Sequence, residues 1–199
     1  GPGLGTETFG RQLAAAVAAG PPRPLVVDAD GLNLASLGDL DLASLAATRP
    51  VLGTPHPGEM ARLLDTDSAT IQADRIAALS RVVEANGHAV LLKGSPSLVT
   101  APGAEVHVDS QGSSDLAVAG MGDALTGVCV SLLAQGLSVI EAGTVGLYLT
   151  GRSARLAGRG MALTPSDVIR CLPDALSERD AGVSDLDLPF VLYDDDPAR

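Results

Sequence analysis

Residues 112–127 read Gly-Ser-Ser-Asp-Leu-Ala-Val-Ala-Gly-Met-Gly-Asp-Ala-Leu-Thr-Gly, a glycine-rich loop that runs into an apolar helix. Gly120 and Gly122 carry no Cβ, so the chain can turn sharply there and a ligand can come close to the backbone. Asp123 falls where the helix should begin. Unpaired N–H groups in a first helical turn, with the positive end of the helix dipole, hold an anion well, and a neighbouring carboxylate can serve as a base. The plainer alternative is a tight turn with Asp123 as a cap, and on this stretch alone both remain open.

Working outward, strands are expected to alternate with helices along the chain. A helix over 6–19 ends at Gly20 and the prolines Pro21, Pro22 and Pro24, and a buried strand over 25–27 delivers Asp28-Ala29-Asp30-Gly31-Leu32-Asn33 at its carboxyl end. One or two short helical turns are expected within 34–47. A strand over 51–54 runs into Pro55-His56-Pro57-Gly58-Glu59, with Pro57 suited to a first helical position and Glu59 to a first turn. Residues 70–85 form the clearest helix, with an apolar stripe of Ile71, Ile76, Leu79, Val82 and Val83 and an Asn86-Gly87 stop. A buried strand over 89–92 ends in Lys93-Gly94, and 97–100 with 106–108 reads as a hairpin around Pro102-Gly103. Helices over 124–134, 140–156 and 165–176 follow, the second with Gly143, Gly146 and Gly151 allowing close packing and the third capped by Thr164. This alternation predicts a single α/β layer fold whose ligand edge collects Asp28, Asp30, His56, Lys93 and Asp123.

Composition narrows the class further. The 199 residues suit one domain with an aliphatic core: 46% are hydrophobic but only 2% aromatic, and the mean hydropathy is +0.27. A net charge of −11 repels nucleic acid and anionic membrane surfaces, so neither is expected as a partner, and any anionic ligand must be held by local groups. No apolar run is long enough to span a bilayer and no leader pattern opens the chain, which points to the cytoplasm. Cys129 and Cys171 read as free thiols in apolar helices. His56, His88 and His107 are too scattered for a metal cage. Walker, dinucleotide-fingerprint and serine-elbow patterns are all absent.

Five segments taken together are more specific than any of them alone. Gly1-Pro2-Gly3-Leu4-Gly5, Val27 to Asn33, Thr54-Pro55-His56-Pro57-Gly58-Glu59, Leu92-Lys93-Gly94-Ser95-Pro96-Ser97 and Gly120 to Gly127 stand in the order found in the ADP/ATP-dependent NAD(P)H-hydrate dehydratases, the carbohydrate-kinase-like YjeF C-terminal family, which the chain resembles over about residues 1–176. The resemblance implies a three-layer α/β/α ribokinase-like fold with a mostly parallel central sheet, lacking its N-terminal strand-helix unit. It implies a truncated dehydratase domain over 1–178 and an acidic tail over 179–199.

It also implies roles for particular residues. Gly3, His56 and Asp123 would contact the hydrated NADH or NADPH, with Asp123 as the catalytic base on its hydroxyl. Lys93, Gly94, Ser95, Pro96 and Ser97 would line the ADP or ATP, and Gly120 and Gly122 would hold its phosphates. Glu59 resembles the carboxylate that serves Mg²⁺ in related kinases, against a plainer reading as a helix-dipole acid. A homo-oligomer and an epimerase partner, as a domain or a separate protein, are further expectations. Asp115, Val118, Ala119 and Met121 depart from the family's usual residues in the glycine loop. A small-molecule alcohol kinase of the same fold, or a catalytically impaired nucleotide-binding relative, are the competing readings.

Overall fold

The computed structural model describes residues 3–180 and 190–192. The first half of the chain builds the parallel part of the sheet: α1 (Thr8–Ala19), β1 (Leu25–Val27), α2 (Asp30–Ser36), α3 (Leu42–Ala46), β2 (Val51–Gly53), α4 (Pro57–Leu63), α5 (Ser68–Ala73), α6 (Arg75–Asn86) and β3 (Ala89–Leu92). The hairpin β4 (Leu98–Thr100) and β5 (His107–Asp109) follows, then α7 (Met121–Ala134), α8 (Val139–Ala157), α9 (Pro165–Asp180) and β6 (Phe190–Leu192). The spatial order of the strands is their chain order, β1 to β6. β1, β2 and β3 pair in parallel, and each later neighbour pairs antiparallel, so β1, β2, β3 and β5 point one way and β4 and β6 the other.

The layering follows from the period-two alternation of the strands. All four residues of β3 are buried. Val90 and Leu92 pack with Met60, Ile71, Leu79 and Val82 from α4, α5 and α6, whereas Ala89 and Leu91 pack with Leu125, Cys129 and Leu147 from α7 and α8. A strand covered on both faces carries apolar residues on both, each large one worth roughly 1.5–3 kcal/mol of burial. The small residues of α8 let it lie close: a Cβ on Gly146 would stand 2.7 Å from the Cys129 sulfur. Burial pushes the Cys129 thiol up to about 12, as suits an inert core cysteine, and both cysteines are free. The three-layer α/β/α class is thus established.

Two boundaries differ from expectation. The helix expected over 70–85 is two helices, because Asp74 adopts an extended conformation and its carboxylate accepts from the Ala77 N–H, restarting the chain as α6. α7 begins at Met121, so the glycine loop ends directly in its first turn. Most of the acidic tail lies outside the described residues; its 190–192 segment pairs with β5, Phe190 opposite Asp109. Among the described residues no helix is long and apolar enough to cross a membrane.

Candidate active site

The carboxyl ends of β1, β2 and β3 deliver Asp28, the Thr54–His56 turn and Lys93 to one edge of the sheet, where the first turn of α7 meets them. Asp28 is 3% exposed and sits at the centre. Its Oδ1 accepts from Lys93 Nζ at 2.7 Å and its Oδ2 from the Thr126 hydroxyl at 2.9 Å. Burial pushes the Asp28 carboxyl upward, but the hydrogen bond and charge of Lys93, with the Thr126 and Thr54 hydroxyls, outweigh it and hold the group below its ordinary value. Asp28 therefore remains an anion and Lys93 has a fixed counter-charge. Between Asp28 and Asp30 the backbone turns at Ala29 with φ 49° and ψ −116°, a conformation costly for a residue with a Cβ. That turn sends Asp28 into the core and Asp30 toward the N-terminal loop. There Asp30 accepts from the Gly5 N–H at 2.8 Å, which holds the Asp30 carboxyl below its ordinary value.

His56 and Glu59 form a capping box at the start of α4. The imidazole Nδ1 accepts from the Gly58 and Glu59 N–H groups, and Glu59 Oε2 accepts from the His56 N–H at 2.8 Å. The buried Glu59 carboxylate also lies 3.8 Å from Lys93 Nζ. Glu59 Oε2 thus serves the cap and faces the Lys93 ammonium, while Oε1 lies 3.4 Å from His56 Nε2. Among the described residues no group of three or more His, Cys, Asp or Glu could hold a metal.

Gly120 is the N-cap of α7, with φ 84° and no side-chain cap. The Met121 N–H is used by Val118 and the Ala124 N–H by Gly120, and among the described residues the N–H groups of Gly122 and Asp123 meet no acceptor. These are the free donors of an anion site at a helix start. A Cβ on Gly122 would stand 3.4 Å from Lys93 Nζ, so the missing side chain lets the ammonium approach the turn. Asp123 is exposed and makes no hydrogen bond or ion pair among the described residues. It is therefore not the cap that its position also allowed.

The structure brings Lys93, Gly94, Ser95, Pro96, Ser97 and Gly122 around one cleft of about 620 Å³, walled on its apolar side by Leu116, Met121, Leu125 and Leu147. Gly120 and Asp123 line a second, more apolar groove of about 560 Å³ between α7 and α9. The turn 120–123 thus divides the two spaces, with Gly122 facing one and Asp123 the other. Gly3 and His56 are not joined to Asp123 by any hydrogen bond or ion pair among the described residues. His56 connects to the centre indirectly, through Glu59. Gly5, Asp30 and Asn33 form a chain to Arg62 on α4, and Glu59 on the same helix leads to Lys93. Sequence reasoning placed Asp28 at the ligand edge but missed its pairing with Lys93. It also missed Asp109 and Thr150, which line the cleft from β5 and α8 and carry no local pattern.

Comparison with known proteins agrees with this geometry. Residues 1–174 match a family model described as NAD(P)H-hydrate dehydratase. The ADP-dependent (S)-NAD(P)H-hydrate dehydratase of Neisseria meningitidis is 43% identical over 155 residues, 77% of this chain and 52% of that protein. The bifunctional NAD(P)H-hydrate repair enzyme Nnr of Salinibacter ruber is 38% identical over 188 residues, 90% of this chain and 33% of that protein. The solved structure of a ribokinase-like superfamily protein from Enterococcus faecalis superposes with a TM-score of 0.77 at 26% identity, covering 89% of this chain and 61% of that one. The chain thus spans between a third and about half of the length of these curated relatives. With its fold, its five motifs and 174 matched residues in agreement, the chain belongs to the NAD(P)H-hydrate dehydratase family.

Proposed function

We propose that this chain is a dehydratase domain that uses ADP or ATP to return hydrated NADH or NADPH to the dihydronicotinamide. The first turn of α7 is the observation that carries the reading. Among the described residues, Gly122 and Asp123 carry two N–H groups without acceptors and the unpaired Asp123 carboxylate, and the Lys93 ammonium stands beside Gly122. The relative with 43% identity is named as ADP-dependent, which supports a nucleotide in the Lys93–Ser97 cleft. The cleft fits one: its donors suit phosphate and its apolar wall suits a base.

The nucleotide supplies the phosphoryl group, and Mg²⁺ accompanying its phosphates neutralises part of their charge. The chain's residues do the rest. Asp123 accepts the proton of the substrate hydroxyl as that oxygen bonds to phosphorus and the terminal phosphate bond of the nucleotide breaks. The Gly122 and Asp123 N–H groups and Lys93 stabilise charge on the transferring phosphoryl. Phosphate then leaves with its oxygen, and loss of a proton from the neighbouring carbon restores the ring double bond. Glu59 serves here as the cap of α4 and a counter-charge for Lys93. His56 and Gly3 would meet the hydrated cofactor at the rim. The bifunctional character of one relative is in keeping with an epimerase partner, and a homo-oligomer remains part of the proposal.

The test is to supply hydrated NADH with ADP or ATP and Mg²⁺ and follow the dihydronicotinamide absorbance band. Recovery that requires the nucleotide supports the reading. A stable phosphorylated product with no recovery of absorbance would instead mark an alcohol kinase.

A further inference from the structure

Arg75 opens α6 and belongs to none of the five motifs. Its half-buried guanidinium reaches beneath the 93–97 loop, where Nη2 donates to the carbonyl oxygens of Leu92 at 3.4 Å, Lys93 at 3.2 Å and Pro96 at 2.9 Å. Nη1 donates to Gln72 Oε1 at 2.5 Å, which steadies the planar group from α5. One cation therefore gathers three carbonyls from five consecutive residues.

A second, independent observation concerns Gly94. Its φ is +143°, and a Cβ there would lie 2.7 Å from Arg75 Nη2 and 2.9 Å from Nη1. A side chain here would push the guanidinium out of its present place, and the positive φ is itself strained for any residue with a Cβ. The consequence for a ligand is electrostatic. Peptide carbonyls turned down onto Arg75 are turned away from incoming phosphate oxygens; the Gly94 N–H is held by Ser97 Oγ at 3.3 Å, and the peptide after Pro96 carries its N–H on Ser97, which lines the cleft. In a chain of net charge −11, a guanidinium under the loop and the Lys93 ammonium at its start also supply the local positive field that an anion needs.

We propose that Arg75 is a positioning residue for the nucleotide: it holds the 93–97 loop in the shape that receives a nucleoside di- or triphosphate, and Gly94 is the opening through which it does so. This rests on the nucleotide reading of the cleft given above. Lysine cannot replace it fully, because a single ammonium does not present a planar group that places Nη2 among the three carbonyls while Nη1 is held by Gln72 Oε1.

The experiment is calorimetric titration of the 199-residue chain with ADP, alongside steady-state kinetics, for wild type, Arg75→Met, Arg75→Lys and Gly94→Ala. The ADP dissociation constant should rise about tenfold or more in Arg75→Met and Gly94→Ala, and by less in Arg75→Lys. In the two Arg75 variants the KM for hydrated NADH and the kcat at saturating ADP should stay within about twofold of wild type. Unchanged ADP affinity in Arg75→Met overturns the proposal. So does an equal loss in every kinetic constant together with a lowered melting midpoint, which is what a merely structural arginine gives. Should Arg75→Met not fold, the other two variants decide, and unchanged affinity in both overturns it. Failure of the wild-type chain to bind ADP would overturn the nucleotide reading itself.

Discussion

Asp28→Asn is the perturbation whose size follows most directly from the structure. The substitution keeps the shape of the side chain and removes its charge. Lys93 Nζ then loses its charged partner at 2.7 Å, and Glu59 at 3.8 Å is its remaining counter-charge among the described residues. Asp28 is 3% exposed and the Lys93 side chain 19%, so solvent makes good little of the loss. Breaking a buried pair by removing one member costs roughly 3–5 kcal/mol. The remaining Glu59 contact and the retained hydrogen-bonding shape bring the expectation down to roughly 2–4 kcal/mol. For a chain of this length that is a fall in melting midpoint of roughly 5–15 °C. The pH dependence has a definite sign. The folded Asp28 carboxyl titrates below its unfolded value of about 3.9. As pH falls, the unfolded chain takes up this proton first, so the contribution is fully present above about pH 4 and is lost as pH drops through the lowered folded value. Urea unfolding of wild type and Asp28→Asn from pH 7 to pH 3 measures it. Equal stabilities at pH 7, or a gap that keeps its full size at pH 3, would refute the reasoning.

Other outcomes follow from the same geometry. Asp123→Asn should lower kcat by about 10²–10⁴ while leaving ADP affinity within a factor of two or so, since Asp123 bonds to nothing among the described residues; a comparable loss of ADP binding by calorimetry would argue against a base. Ala29→Gly should stabilise the fold by about 1 kcal/mol, because relief of the φ 49° strain exceeds the added freedom of the unfolded chain; a lowered urea midpoint would contradict that.

Much of the architecture was legible in the residues because it rests on local chemistry. The apolar runs at 51–53 and 89–92 are buried strands and 25–27 is a strand with only Val27 fully buried, and the polar residues that follow each of them do share one edge. The Thr164-Pro165-Ser166-Asp167 start of α9 is realised, with Thr164 and Asp167 bonded to each other. What failed to show was set by distance along the chain. Asp28 and Lys93 are separated by 65 residues, and nothing near either one names its partner. Arg75 looked like an ordinary residue within a continuous helix, because the break at Asp74 that places it under the 93–97 loop leaves no apolar signature. Asp123 was suited to a cap or a base by position, and among the described residues its carboxylate makes no cap bond. The division of the glycine turn between two spaces depends on the packing of α9 against α7, more than thirty residues away in the chain.

On the proposed function, nucleotide cleavage and recovery of the dihydronicotinamide are one reaction. Simultaneous measurement of inorganic phosphate and of dihydronicotinamide absorbance, starting from hydrated NADH, ADP and Mg²⁺, tests it most directly. One phosphate released for each dihydronicotinamide formed is the expected result; absorbance recovered without phosphate, or phosphate released without recovery, would contradict it.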